Sequence, residues 1–557
     1  GFAVKFYTPE GNWDLVGNNI PVFFIQDAMK FPDLVHAVKM EPDRGFPQAA
    51  SAHDTFWDFV SLMPETLHTV MWAMSDRTLP RSLRMMEGFG VHSFRLLNAA
   101  GESTFVKFHW RPKLGIQSTV WDEAVKLQSA DNDFHRRDLF ESIEAGDFPE
   151  WELSVQLFTD EDAQDFPFDH LDPTKLIPEE LIPLQPVGRM VLNRWPDNFF
   201  AETEQVAFCP ANVPPGIDFS NDPLLQGRLF SYLDTQLSRL GGPNFAQIPI
   251  NAPKCPFHNN QRDGHMQMQV PKGRVNYEPS SLQADSPRAS QALGFRHFAQ
   301  ADDGVKGRVR AESFADHYSQ ARMFYRSQSP LEQAHLASAT VFELSKVGTP
   351  HVREAVVGHL QHVDAELAQR VADGLGMQAL PPAPPTVEPV QDLPLSPALR
   401  IIDRMKPTLQ GRAIGILVAD GSNGTSVANL RKALEKAGAT VKIVAPKVGG
   451  AVLKDGTLLP ADGQLAGTPS VVFDAVASVL SPDMGAVLAK EAAAVDWFRD
   501  AFGHLKAIAA CKGTQAILQA GGIEPDAGVV DPADVQGFIA AAQTRQWDRE
   551  PQVRTLA

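Results

Sequence analysis

Apolar and polar positions alternate along four early stretches, GFAVKFY (Gly1–Tyr7), IPVFFIQ (Ile20–Gln26), HSFRLLNAAG (His92–Gly101) and STFVKFHW (Ser103–Trp110). Alternation of period two between turn residues predicts strands of an antiparallel sheet with one buried face. LNAAGEST reads as the hairpin joining the last two. The period lengthens in SAHDTFWDFVSLMPETLHTVMWAMSD (Ser51–Asp76), which predicts helix with Ser51 or Asp54 as the cap. From about Glu202 to Arg310 no period dominates outside one helical stretch near its start, and Pro, Asn, Gly and Arg are frequent. So long an irregular run points to function or to wrapping around something. Helical spacing returns near Ser327, with Ser329 as cap, Pro330 at the first position and Gly348 as a stop, and two more helical segments run to about Gly374. The pattern then becomes α/β: GRAIGILVAD, TVKIVAP, SVVFDAVASVL and LKAIAAC read as buried parallel strands, NLRKALEKAGA as an amphipathic helix, and the whole as a doubly wound sheet. Gln378–Pro397 separates the two regimes and holds seven prolines, a semi-rigid linker at a domain boundary.

Composition narrows the class. The chain has 557 residues, 43% hydrophobic and 21% charged, so it is globular and long enough for roughly three or four domains. A net charge of −17 argues against a phosphate-binding surface, so no nucleic-acid partner is expected. No apolar run has the length of a membrane span, and no membrane partner is expected. Three cysteines, Cys209, Cys255 and Cys511, lie far apart, which makes no disulfide framework and suits a reducing, cytoplasmic compartment. The first residue is Gly1 and no signal-like segment follows, so the chain is expected to begin inside a longer protein.

Two places carry candidate chemistry. In WDLVGNNIPVFFIQD, Asn18 and Asn19 interrupt a strand-like run; either Gly17-Asn18-Asn19 is a plain turn or one amide is aimed at something. In NDPLLQGRLFSYLDTQLSRLGGPNF, Asn221 or Asp222 caps a helix that Gly241-Gly242 ends, and Arg228 and Tyr232 stand four apart on one face. A guanidinium beside a phenol favours the phenolate, a hard anionic ligand for ferric iron. Spacing alone leaves an ordinary surface Arg–Tyr pair as the other reading.

GRLFSYLDT, RLGGPNFAQIPIN, QRDG and LVGNNIPVFFIQDAMKFP together resemble the haem catalases, specifically the large-subunit clade with an added C-terminal domain. The similarity runs almost continuously to about residue 375, then through the linker and the α/β domain. It implies an α+β multidomain chain: an antiparallel β-barrel over 1–195, a wrapping segment with the proximal helix over 196–315, a helical domain over 316–375, the linker over 376–409 and a flavodoxin-like domain over 410–557. The implied reaction is dismutation of hydrogen peroxide through a ferryl haem, of b or d type, in a homotetramer. The resemblance makes Tyr232 the proximal iron ligand, Arg228 the holder of its charge, and His92 and Asp222 the outward extension of that network. It makes Asn18 the distal amide that orients peroxide, with Val16 and Gly17 against the haem and Phe23 and Phe31 packed on the distal side. Asp14 matches a carboxylate of the substrate channel; without the resemblance it is an exposed turn acid.

The family's distal histidine lies in a motif upstream of the region matching Gly1, so the sequence is expected to be an N-terminally truncated copy, inactive as it stands. Cys209 stands where some large-subunit catalases link a side chain to the proximal tyrosine, which suggests a thioether to Tyr232. Asn212, where some relatives carry a propionate-side histidine, weakens the transfer nearby. Arg77 falls at a matching arginine, but no dinucleotide fingerprint is present and NADPH is not expected. Cys255, His258 and His265 have loosely metal-like spacing in what fits better as wrapping segment. From about Gly411 the chain resembles class I glutamine amidotransferase-like domains with Cys511 at the nucleophile's place, but the acidic partner and a following histidine are missing, so the domain reads as structural. The alternatives are a non-catalytic haem-binding scaffold and a cysteine hydrolase activity in the last domain.

Overall fold

The structure, a computed structural model, describes residues 1–48, 54–256, 258–284, 286–290, 292–301, 307 and 309–554. Ser51, the alternative helix cap, lies outside the described residues. The chain divides into two compact units, one of Gly1–Thr78, Glu87–Arg111 and Trp151–Arg400, the other of Leu79–Met86, Pro112–Glu150 and Ile401–Ala557.

In the first unit, β1 (Phe2–Thr8) and β2 (Gly11–Gly17) form an antiparallel hairpin, with Lys5 opposite Asp14 and Phe6 opposite Trp13. The period of two sends Trp13 and Leu15 to one face. There Trp13 stacks on Phe6 at 4.3 Å and Leu15 joins a core with Phe94, Val106 and Phe108. A second sheet contains β3 (Gly88–Phe89), β4 (Phe94–Leu97), β5 (Ser103–Pro112), β6 (Glu150–Phe158), β7 (Gln185–Val191) and β8 (Ile217–Phe219), in the order β7-β6-β5-β4-β8 with β3 paired to β5. Among the described residues this sheet is open and not a closed barrel, because the hairpin meets it through an isolated bridge, Asn18 to Phe89, in place of a ladder. Ile20–Gln26, expected as a strand, is irregular. Its backbone is held from elsewhere, by Phe23 N–H donating to the Pro173 carbonyl at 2.9 Å and Gln26 N–H to Glu65 at 3.2 Å.

The expected long helix near Trp57 breaks at Pro64 into Asp54–Leu62 and Leu67–Ala73. These pack with Ser319–Ser327, Pro330–Leu344, Pro350–Val363 and Ala365–Gly374 around Trp57, Trp72, Phe324, Leu336 and Leu360. Ser329 caps its helix as expected, its reciprocal partner being Glu332.

In the second unit, β9 (Ala413–Val418), β10 (Thr440–Ala445), β13 (Gly463–Gln464), β14 (Ala475–Val479), β15 (Ile508–Ala509) and β16 (Val529–Val530) form a parallel sheet in the order β13-β10-β9-β14-β15-β16, and β11 (Ala451–Val452) pairs with β12 (Leu458–Leu459) apart from it. Ile414 and Ile416 pack under Leu430 and Phe538; Leu417 packs on the opposite face with Trp497 and Phe498. Helices therefore cover both faces, as buried parallel strands require. Two earlier segments belong to this unit through buried ion pairs. Arg81 meets Asp474 at 2.6 Å, and Glu123 meets Lys506 at 2.9 Å and Arg545 at 2.8 Å. Among the described residues no helix is long and apolar enough to cross a membrane.

Candidate active site

The site begins at one helix, Pro223–Leu240. Asp222 caps it, accepting from Leu224 N–H at 2.9 Å and Leu225 N–H at 3.1 Å, and Gly241 closes it at φ 82. Leu224 enters a small cluster with Ile25, Leu34 and Phe23, while Leu225 enters the core beside Leu15 and Phe94. Gly227 lets the helix approach closely, since a Cβ there would sit 2.1 Å from the Ala28 methyl. One turn later comes the pair singled out by spacing: Arg228 Nη2 donates to Tyr232 Oη at 2.9 Å, and its guanidinium lies 4.8 Å from the Tyr232 ring centre. The same nitrogen donates to the Val16 carbonyl at 2.9 Å. The guanidinium therefore joins the helix to the end of β2.

That end carries the opening asparagines. Asn18 exchanges both backbone bonds with Phe89, at 2.9 and 2.7 Å, and its Oδ1 accepts from Asn19 N–H at 2.8 Å. Among the described residues its amide NH2 has no partner. Gly17 is required where it stands, because a Cβ would lie 2.0 Å from the Phe89 carbonyl oxygen. Beyond Asn19, Phe23 and Phe31 stack with ring centres 6.3 Å apart, Phe23 half-buried and Phe31 exposed. The structure thus brings Val16, Gly17, Asn18, Arg228 and Tyr232 together, with the Phe23–Phe31 pair leading away from the strand end.

Behind the helix cap, His92 Nδ1 meets Asp222 Oδ2 at 2.5 Å with both side chains 1% exposed. Burial pulls the imidazole below its usual range, against the pull of Asp222, so the ring is neutral and donates to the carboxylate.

Asp14 is neither exposed nor at a turn. It is 3% exposed; Oδ1 accepts from Lys5 Nζ at 2.6 Å, and Oδ2 accepts from Cys209 N–H at 3.0 Å and Asn212 Nδ2 at 2.9 Å. Its carboxylate is engaged in tying β2 to the Cys209–Asn212 loop, which also gives Asn212 a structural partner. Cys209 is buried with Ala207, Phe245 and Ile248, and burial, reinforced by Asp14, pushes its thiol up to about 11. The carbonyl next to it, of Phe208, accepts from Gln236 on the Tyr232 helix at 3.3 Å.

Arg77 is committed to Glu87 at 2.5 Å and to the Ala398 and Leu399 carbonyls. Among the described residues no group of three or more His, Cys, Asp and Glu is placed to hold a bare metal ion, Cys255, His258 and His265 included. Cys511 follows β15 at an ordinary φ of −79, and its thiol meets Leu480 N–H, the Leu480 carbonyl and Thr514 Oγ1, with no histidine or carboxylate among these partners. Sequence reasoning missed Phe89, whose backbone fixes Asn18, and Lys107, which lies under the turn preceding His92. The GFGVHSF stretch held the one signal, two glycines flanking an aromatic.

Residues 1–284 match the catalase family, 311–375 the catalase-related immune-responsive family, and 410–551 the C-terminal domain found in long catalases. Catalase C of Rhizobium meliloti (strain 1021) is 57% identical over the whole of this chain and 79% of its own length. Catalase HPII of Pseudomonas putida is 52% identical over 99% of this chain and 78% of its own, and Catalase-2 of Bacillus subtilis (strain 168) is 50% identical over 99% and 80%. With identity at this level from end to end, the chain belongs to the catalase family, in its large-subunit, HPII-like branch.

Proposed function

We propose that Tyr232 is the proximal ligand of a haem iron and Asn18 the amide that orients peroxide, in a catalase that dismutates hydrogen peroxide to water and dioxygen. The observation that carries this reading is the Arg228 nitrogen shared between Tyr232 Oη and the Val16 carbonyl. When bound, haem iron supplies the redox chemistry by which one peroxide is reduced to water and a second is oxidised to dioxygen. The donor set fits that group. A single anionic oxygen suits a metal whose macrocycle brings its own four nitrogens, and no bare-ion cluster competes among the described residues.

Arg228 donates a hydrogen bond to Tyr232 Oη and so would hold that oxygen in place as the iron's ligand. His92 and Asp222 fix the helix end from which Arg228 and Tyr232 project. The unpartnered NH2 of Asn18 donates to a peroxide oxygen, and Val16, Gly17, Phe23 and Phe31 supply an apolar wall that keeps bulk water away. We further assign Cys209 Sγ to a thioether with Tyr232 Cβ. The link forms with loss of the thiol hydrogen and one Cβ hydrogen, the two electrons passing to peroxide. The hairpin and open sheet are read as parts of a barrel wall, the second unit as flavodoxin-like, and the assembly as a homotetramer in a cytoplasmic compartment, which suits three free cysteines.

The test is the visible absorption spectrum of the protein from its natural source beside that of Tyr232→Phe. A high-spin ferric spectrum lost or changed in the variant supports the assignment, and its long-wavelength bands distinguish haem b from haem d. A natural protein without a Soret band overturns it.

A further inference from the structure

Gly90, Val91, His92 and Ser93 join β3 to β4. The His92 N–H donates to the Gly90 carbonyl at 2.9 Å, closing a three-residue turn whose middle residue, Val91, has φ 68. Turns of this hand are rare and strained, and a β-branched side chain suits them worst. Such a conformation persists only where its surroundings hold it. Gly90 is held by its N–H, which donates to the Phe108 carbonyl at 2.8 Å. Val91 is held by Lys107, whose Nζ donates to the Val91 carbonyl at 2.8 Å. Among the described residues this is the one hydrogen bond that ammonium makes.

Lys107 is 6% exposed, between Val106 and Phe108 of the core. A buried ammonium with a single carbonyl partner is costly. Burial draws it down to about 8, against the pull of Asp222 and Asp172. The turn it supports stands between the two halves of the site: Phe89 before it exchanges backbone bonds with Asn18, and His92 at its end holds the Asp222 cap of the Tyr232 helix.

We propose that Lys107 is a positioning residue: through the Val91 carbonyl, its ammonium locks the His92 ring on Asp222 and thereby fixes the Arg228–Tyr232 pair relative to the strand end that carries Asn18. This rests on the reading of Tyr232 as the iron ligand.

Resonance Raman and EPR spectra of the haem-loaded enzyme test both layers separately. Tyr232→Phe is expected to lose the tyrosinate-ligand vibrations; if they persist, the ligand reading fails whatever Lys107 does. With that loss established, Lys107→Met is expected to keep these vibrations but shift them, to change the rhombic splitting of the ferric signal, and to lower kcat roughly tenfold with KM unchanged. Lys107→Arg, which keeps the charge and an N–H donor, is expected to return the spectra towards wild type. If Lys107→Met does not accumulate folded, the same spectra are taken on Val91→Gly/Lys107→Met, where glycine accepts φ 68 without strain. The shift is expected there too, because the hydrogen bond is still missing. A wild-type tyrosinate signal in either Met variant overturns the proposal.

Discussion

At the scale of single residues, Asn18 offers the sharpest test. Its Oδ1 is occupied by the Asn19 N–H, and its NH2 is the group left to meet a ligand. Asn18→Asp keeps the acceptor and removes the donor. It is expected to lower kcat by about a hundredfold, the usual consequence of deleting one preorganised donor, with a change in unfolding free energy below about 0.5 kcal/mol. Oxygen evolution and a denaturant titration read the two quantities separately. Cys511 is the counterpart in the second unit. Among the described residues its thiol meets only backbone and a threonine hydroxyl, so Cys511→Ser is expected to leave peroxide turnover unchanged. The sequence made Arg228 and Tyr232 legible because i and i+4 must face one way on a helix. The burial of Asp14, a channel carboxylate by resemblance and an exposed turn acid without it, was hidden for the opposite reason. Its partners, Lys5 across the hairpin and the loop at Cys209 and Asn212, are set by strand register and tertiary contact, which spacing does not reveal.

At the scale of elements, the Pro223–Leu240 helix and the end of β2 are held by a few contacts with little slack. Asp222→Ala removes a helix cap worth about 1–2 kcal/mol and strands a buried His92 N–H at a further cost of about 1–3 kcal/mol. Asp222→Asn keeps the cap and is expected to lose less. Comparing the two by urea unfolding separates cap from partner. Gly17→Ala drives a methyl into the Phe89 backbone oxygen, where no side chain can yield, and is expected to cost upward of roughly 3 kcal/mol. Capped helices and alternating strands were readable because caps and periods are local signals. The irregular Ile20–Gln26 was not, since its apolar run suits a strand but its backbone partners, Pro173 and Glu65, lie far along the chain. The open sheet escaped for the same reason, because a single bridge at Asn18 leaves no mark on periodicity.

For the whole molecule, stability is expected to fall on the acid side. His68 and His109 are buried and drawn down to about 4, chiefly by desolvation. Between the unfolded value of about 6.5 and the folded value, the unfolded chain binds a proton at each ring that the folded chain refuses. Stability therefore drops as pH falls through that window, by roughly 1.4 kcal/mol per pH unit for each ring. Unfolding midpoints measured at pH 7.5, 6 and 5 are expected to decrease in that order; a flat profile would mean both rings protonate in the folded protein. The second unit adds a different constraint. It is assembled from three separated stretches, and Arg81 finds Asp474 393 residues further on. At synthesis rates of about 5–20 residues per second, that guanidinium waits roughly 20–80 s for its carboxylate to be made. Throughout that interval the nascent chain carries cationic and anionic side chains destined for burial but still seeking water or a chaperone. The C-terminal stretch is thus the closing step of a fold begun much earlier, and a ribosome that stops near residue 400 would release an unfinished structure rather than a shorter enzyme.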